Sequence, residues 1–315
     1  MKKSIILISI LFAFILPNLL VSFYEEEPVK TKEQPVDAEP ADLEETTILV
    51  DDQGIIKKMI LDDYLLCVLL GEMPADFELE ALKAQSVATR TYTLRKALKQ
   101  NKHPGADICT DPSCCQAFIS ETDYLQSGGT EDSIVKMKEA IRSTSDEVIT
   151  YRGNLIEATY FSCSGGKTED AVSVWGTSVP YLKSVDSPGE ENAKHFEDRF
   201  AFSIDTFCRQ LGLSKDALNE DRLTITYTEG NGVDQLKIGN ANFSGTQIRT
   251  LFSLPSTSFT ISFTDEEVVI TTRGYGHRVG MSQYGADAMA VEGKNYMEIL
   301  AHYYPGTQLT KFASV

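Results

Sequence analysis

The sequence predicts a mixed α+β fold: a two-lobed extracytoplasmic domain with a central helix and β-hairpins, following an N-terminal transmembrane helix. Three observations lead there. An apolar run behind two lysines opens the chain, residues 78–99 carry a long helical period that is small or apolar on both faces, and short β-patterned stretches are punctuated by turn residues. A length of 315 residues suits one large domain or two modest ones. The formal net charge is −17, from 29 Lys and Arg against 46 Asp and Glu. That balance argues against a nucleic-acid partner, because a phosphate backbone needs a clustered cationic surface.

Lys2 and Lys3 precede the apolar residues 5–21, which are interrupted only by Ser9, Pro17 and Asn18. A helix over residues 4–23, rising about 1.5 Å per residue, just spans a hydrocarbon core of roughly 30 Å. A cleaved signal peptide has a shorter apolar core and a small-x-small site, and no clear site precedes Glu25. Residues 1–23 therefore read as an anchor, with a cleaved signal as the alternative. The lysines stay inside, so either reading puts the remainder outside the cytoplasm. Residues 24–45, rich in Glu, Asp, Pro and Lys, read as a solvated linker.

Residues 47–60 look like two strands around a turn at Asp51, Asp52 and Gly54. Residues 61–70 follow as an apolar helix with Asp62 and Asp63 in its first turn, broken by Gly71-Glu72-Met73-Pro74. In residues 78–99, Ala81, Ala84, Ala88 and Tyr92 share one face, and Leu79, Leu82, Ser86 and Arg90 lie roughly opposite, as a buried central helix requires. Residues 148–151 and 155–161 read as a hairpin around Gly153-Asn154. Residues 266–272 read as a strand, and Ser282 as the N-cap of a helix ending before Gly293. A last helix follows over residues 296–304. The motif-bearing lobe is assigned to residues 46–188 and 264–315. Residues 189–263 carry no chemical motif and form a candidate second lobe.

Four places could carry chemistry. Glu72 follows the apolar run 65–70, and a carboxyl in such surroundings loses hydration and gains pKa, as a general acid needs; an ordinary helix-terminal Glu is the plain alternative. His103, Cys109, Cys114 and Cys115 supply a Cys₃His donor set for a structural tetrahedral metal, with a disulfide from Cys109 to Cys114 or Cys115 as the alternative. Tyr160, Ser162, Cys163 and Ser164 run into Gly165-Gly166, giving a loop that either binds sugar hydroxyls or is a Gly-rich turn. A nucleophilic Cys163 or Ser164 has no identifiable base. His277, Met281, Ser282, Gln283 and Tyr284 lie in a Gly-rich strand-to-helix junction suited to ligand contact.

Six ordered motifs carry a resemblance: Gly71-Glu72-Met73-Pro74; Glu80-Ala81-Leu82-Lys83-Ala84-Gln85 with Thr89-Arg90-Thr91-Tyr92; the Cys109 to Ala117 loop; Ser162-Cys163-Ser164-Gly165-Gly166; Val174-Trp175-Gly176 with Pro180-Tyr181-Leu182; and the His277 to Gly285 loop. Together, over roughly residues 48–306, the chain resembles the stage II sporulation protein D family. The resemblance implies a single-pass cell-membrane protein of endospore formers, acting between mother cell and forespore during engulfment. It implies lytic transglycosylation of peptide-stripped peptidoglycan glycan, with Glu72 as the acid, Arg90 as an arginine needed for activity that either contacts the sugar or organises the cleft, and the Cys/His loop as a zinc site. Partnership with stage II sporulation proteins P and M is implied too. Cys114 stands where some relatives carry His. Arg278 stands where Gly is more usual, which implies a locally altered cleft floor. A hydrolytic muramidase would need a second carboxylate, with Asp62, Asp63, Asp76 or Glu80 as candidates. The same residues would also suit a non-catalytic glycan binder that enhances an amidase, or a thiol peptidase acting through Cys163.

Overall fold

A computed structural model describes residues 46–312, apart from 100–101, 219–222 and 265. The anchor and linker expected over residues 1–45 lie outside the described residues. Among the described residues no helix is long and apolar enough to cross a membrane.

Strand β1 (Thr47–Asp52) turns into antiparallel β2 (Ile55–Ile60), and β3 (Ile108–Cys109) joins the far edge of β1 in parallel. Helix α1 (Leu61–Glu72) follows at once, burying Leu61 and the run from Tyr64 to Leu70. Helix α2 (Leu79–Lys99) is the centre of the first core. Ala81, Ala84 and Ala88 on one side and Leu82, Ser86 and Arg90 on the other are all buried, so helices and a strand approach from both sides. Small residues on α2 let its neighbours come close enough to exclude water.

Two helices occupy a stretch where the motifs assign none: α3 (Glu121–Gln126) and α4 (Glu131–Ser143). The local signal for α4 is strong: Thr130 caps it by accepting from the Ser133 N–H, and Ile134, Met137, Ala140 and Ile141 form its buried stripe. Strand β4 (Glu147–Tyr151) makes a hairpin with β5 (Asn154–Leu155), and β14 (Gln308–Lys311) pairs with its other edge. The expected longer second arm does not form. The chain leaves the hairpin after Leu155, and β6 (Tyr160–Phe161) pairs instead in parallel with β13 (Met281–Ser282). Residues 155–161 thus serve two sheets. The short helix α5 (Ala171–Trp175) follows.

A second hydrophobic core lies within residues 197–273. It is built from β7 (Glu197–Ser203), α6 (Ile204–Leu211), the meander β8 (Leu223–Tyr227), β9 (Val233–Ile238) and β10 (Ala241–Ser244), then α7 (Gly245–Leu251), β11 (Phe259–Phe263) and β12 (Glu267–Arg273). Strand β12, expected with the motif-bearing lobe, pairs between β11 and β7 and places Val268 and Ile270 in this second core. The chain returns to the first core through β13, α8 (Gln283–Val291), which Ser282 caps, and α9 (Tyr296–Tyr303).

Candidate active site

Glu72 is the last residue of α1, where the helix ends at Met73-Pro74. Gly71 beside it has no side chain to keep the Ala117–Phe118 backbone away: a Cβ there would meet Phe118 N at 3.1 Å and Ala117 C at 3.2 Å. That close approach sets the Ala117 N–H on one oxygen of Glu72, at 2.7 Å. Gln283, the first residue of α8, reaches the other from across the cavity, donating through Nε2 at 3.3 Å. Two donors are fewer than a buried carboxylate can use. Burial is the larger influence, and it raises the pKa of Glu72 although both hydrogen bonds pull the other way.

The carboxyl opens into a cavity of about 480 Å³. Tyr160, Ser162, His277 and Gln283 line it, with Tyr92 and Gln116. Among the described residues, Glu72 is the one carboxylate lining it. The Tyr160 hydroxyl donates to Gln116 Oε1 at 2.7 Å, and burial first, then the charge of Glu72, pushes its pKa well above the phenol range. Burial, with the positive charge of Arg249 second, lowers His277 to about 4, so this imidazole is neutral near pH 7. Its Nδ1 accepts the Val279 N–H at 3.1 Å, and its ring packs against Phe161 and Trp175.

The remaining expected contact residues are placed elsewhere. Arg90 lies outside the cavity and is almost fully buried. Its guanidinium donates to the carbonyls of Ile141, Thr144 and Glu147 at 3.2, 2.8 and 3.2 Å, closing the C-terminal end of α4. Cys163 and Ser164 face inward to Glu190, whose carboxylate accepts from Cys163 Sγ, the Ser164 and Gly165 N–H groups, and the hydroxyls of Ser164 and Ser187. Burial drives the Cys163 thiol pKa far up, so nothing here activates it as a nucleophile. Met281 is fully buried. Tyr284 packs on Phe77 with ring centres 4.9 Å apart. Ser282 is spent as the cap of α8 and as a donor to the Ser162 carbonyl. Arg278 does not line the cavity. Its φ of +63° is the region that favours glycine, and its side chain turns away, to the carbonyls of Ser164, Lys167 and Gly230.

The ligand atoms of His103, Cys109, Cys114 and Cys115 all lie within 4.8 Å of one another. All six cysteines are free thiols, so the disulfide alternative is not realised. One imidazole and three thiols converging this closely are a donor set that suits zinc. Cys114 and Cys115 also form part of the cavity wall, and the same loop supplies the Ala117 N–H. Tyr92, Gln116 and Ala117 join the site without having been expected there, although each stands inside one of the six motifs.

The family profile described as "Stage II sporulation protein" matches residues 51–151. The chain is 33% identical over 331 aligned positions to Stage II sporulation protein D of Bacillus subtilis (strain 168), covering 99% of this chain and 96% of the relative. It is 32% identical over 260 positions to Stage II sporulation protein D of Bacillus amyloliquefaciens, covering 81% and 76%. The Amidase enhancer of Bacillus subtilis (strain 168) is 29% identical over 301 positions, covering 78% of this chain and 40% of that protein.

Proposed function

The chain belongs to the stage II sporulation protein D family, and from that premise we propose that it is a lytic transglycosylase that cuts peptide-stripped peptidoglycan glycan during spore engulfment. The observation that carries the reading is Glu72: a single half-buried carboxyl with a raised pKa, held at both oxygens, in a cavity that presents no other carboxylate among the described residues.

Protonated Glu72 donates to the oxygen linking N-acetylmuramic acid to N-acetylglucosamine. The C1–O bond breaks and positive charge develops at C1. Glu72, now a carboxylate, takes the proton of the C6 hydroxyl of the same muramic ring, and that oxygen closes on C1 as a 1,6-anhydro product. No water is consumed and Glu72 ends protonated, so one carboxyl suffices where the two-carboxylate hydrolases need a pair. None of Asp62, Asp63, Asp76 and Glu80 lines the cavity. Glu80 is held by Lys83 and by the Tyr296 N–H. This disfavours the hydrolytic alternative. Tyr160, His277 and Gln283 orient the sugar.

His103, Cys109, Cys114 and Cys115 would hold a zinc ion, and four protein ligands would complete its shell. Its part would be structural, fixing the loop that positions the Ala117 N–H against Glu72. The reading includes a single-pass membrane location facing the space between mother cell and forespore, and partnership with stage II sporulation proteins P and M.

The test is mass spectrometry of peptide-free glycan strands digested by the full-length protein, wild type against Glu72→Gln. Anhydromuramic ends from the wild type alone are expected. Hydrolysed reducing ends in their place would establish a muramidase. Likeness to the Amidase enhancer favours one second reading, a non-catalytic glycan binder. Binding without cleavage by either protein, with amidase stimulation retained in Glu72→Gln, would establish it.

A further inference from the structure

We propose that a second cavity, on the sheet of the second core, is a distal subsite for another pyranose unit of the same glycan strand. The proposal rests on the lytic transglycosylase reading of the Glu72 cavity. The second cavity measures about 400 Å³ and is lined by Tyr227, Asn231, Thr260, Thr271, Arg273 and Glu197, with Gly165 at its edge.

Its position comes from two chain segments that serve both cavities. Cys163 and Tyr275 form an antiparallel bridge, with the Tyr275 N–H donating to the Cys163 carbonyl at 2.7 Å. On one side of that bridge, Phe161, Ser162, Gly276 and His277 line the Glu72 cavity. On the other, Gly165 and Arg273 line the second. The two segments pack closely beside that bridge: a Cβ on Gly165 or Gly274 would come within 2.8 or 2.7 Å of the opposing segment. Tyr275 itself lines the Glu72 cavity and is 45% exposed, its ring resting on His195 with centres 4.8 Å apart. In this proposal a strand leaving the first cavity crosses the bridge at Tyr275 to reach the second.

The lining has the chemistry of a sugar site. A pyranose offers an apolar C–H face and a rim of hydroxyls, which call for an aromatic ring beside planar polar side chains. Tyr227 is 49% exposed and lines the cavity, where the β8–β9 register shifts between Thr226 and Tyr227. Arg273 and Glu197 pair at 3.2 Å while both stay half exposed, leaving donors and acceptors free for hydroxyls. The hairpin tip bearing Tyr227 and Asn231 is anchored from the first core. Buried Glu169 accepts from the Gly232 N–H at 2.8 Å and Thr228 Oγ1 at 2.7 Å, and buried Arg278 donates to the Gly230 carbonyl. Arg278 Nη1 lies 3.5 Å from Glu169 Oε1, so the two buried charges also pair with each other. Together they tie the hairpin tip to the segments that carry Glu169 and Arg278.

The experiment compares Tyr227→Ala and Arg273→Ala, neither of which lines the Glu72 cavity, with the wild-type full-length protein on peptide-free strands fractionated by length. On long strands kcat/KM is expected to fall about ten-fold, the size of one lost stacking or charged contact. On the shortest strands the wild type cleaves it should not change, and Tyr227→Phe should restore the long-strand rate. Equal loss on short and long strands, or loss on neither, would overturn the subsite. Binding of long strands is measured in parallel in a Glu72→Gln background. If the wild type cleaves nothing but Tyr227→Ala still weakens that binding, the reaction assignment fails and the subsite stands. If the wild type cleaves and neither variant changes rate or binding, the subsite alone fails.

Discussion

Two glutamates, both taken out of bulk water, are treated in opposite ways. Glu190 is about 1% exposed and is surrounded by five donor groups from Cys163, Ser164, Gly165 and Ser187. Glu72 receives two, one of them long, and opens into a cavity. A carboxylate committed to structure has its charge spread over every donor within reach. A carboxyl kept for chemistry is left short of donors, so that burial raises its pKa and a proton stays available. The glycine-rich loop at residues 162–166 therefore serves the first glutamate more than any substrate.

The largest expected effect separates the two. Glu72→Gln should lower glycan cleavage by about 10²–10⁴-fold, the usual range for a general acid, with its circular dichroism unchanged. The wild-type rate should fall as pH rises through the raised pKa of Glu72. Stability follows the same sign. The folded state holds that proton more tightly than the unfolded state, so the Glu72 contribution is present at low pH and fades as pH rises through its folded value, a dependence Glu72→Gln should lack. Glu190→Ala should behave oppositely, costing on the order of 3–5 kcal/mol in denaturant midpoint because it leaves several buried donors unpaired. An unchanged midpoint would dissolve the contrast.

Arg90→Ala should cost about 2–4 kcal/mol, from a cavity and three stranded carbonyls. The folded fraction should keep its KM, which a substrate-contacting arginine would not allow. Gln283→Ala is a finer probe. Removing a hydrogen bond that stabilises the carboxylate raises the Glu72 pKa further, so the alkaline limb of the rate profile should move to higher pH. The smallest effect is expected at Cys163: alkylating reagents should leave this thiol unmodified in a peptide map of the folded protein, because it is buried and its pKa is raised, while the half-buried Cys114 and Cys115 react first.

Much of the molecule was legible in the chain. The α2 period, the β1–β2 turn, the Ser282 cap and the Cys₃His grouping all rest on local spacing, and each is found near the residues expected. Glu72, Tyr160, Ser162, His277 and Gln283 converge on one cavity as the motifs implied. The misplaced residues share one cause. Arg90, Cys163, Ser164, Ser282 and Arg278 are polar residues in motif positions, and a motif does not say whether a polar side chain faces substrate or a buried partner. Arg90 serves carbonyls 51 to 57 residues away, and Ser164 serves a carboxylate 26 residues away.

The sequence by itself determined the α+β character, the central helix, the acidic surface and the short list of groups able to do chemistry. These depend on periodicity, capping and composition, which act within a few turns of chain. Tertiary structure alone decided which of those groups share a cavity, that Glu72 meets no second carboxylate there among the described residues, that β12 belongs to the second core, and that one backbone bridge joins segments lining two cavities. Each depends on partners far apart in sequence, and burial, which sets both pKa and exposure, exists only once those partners have packed.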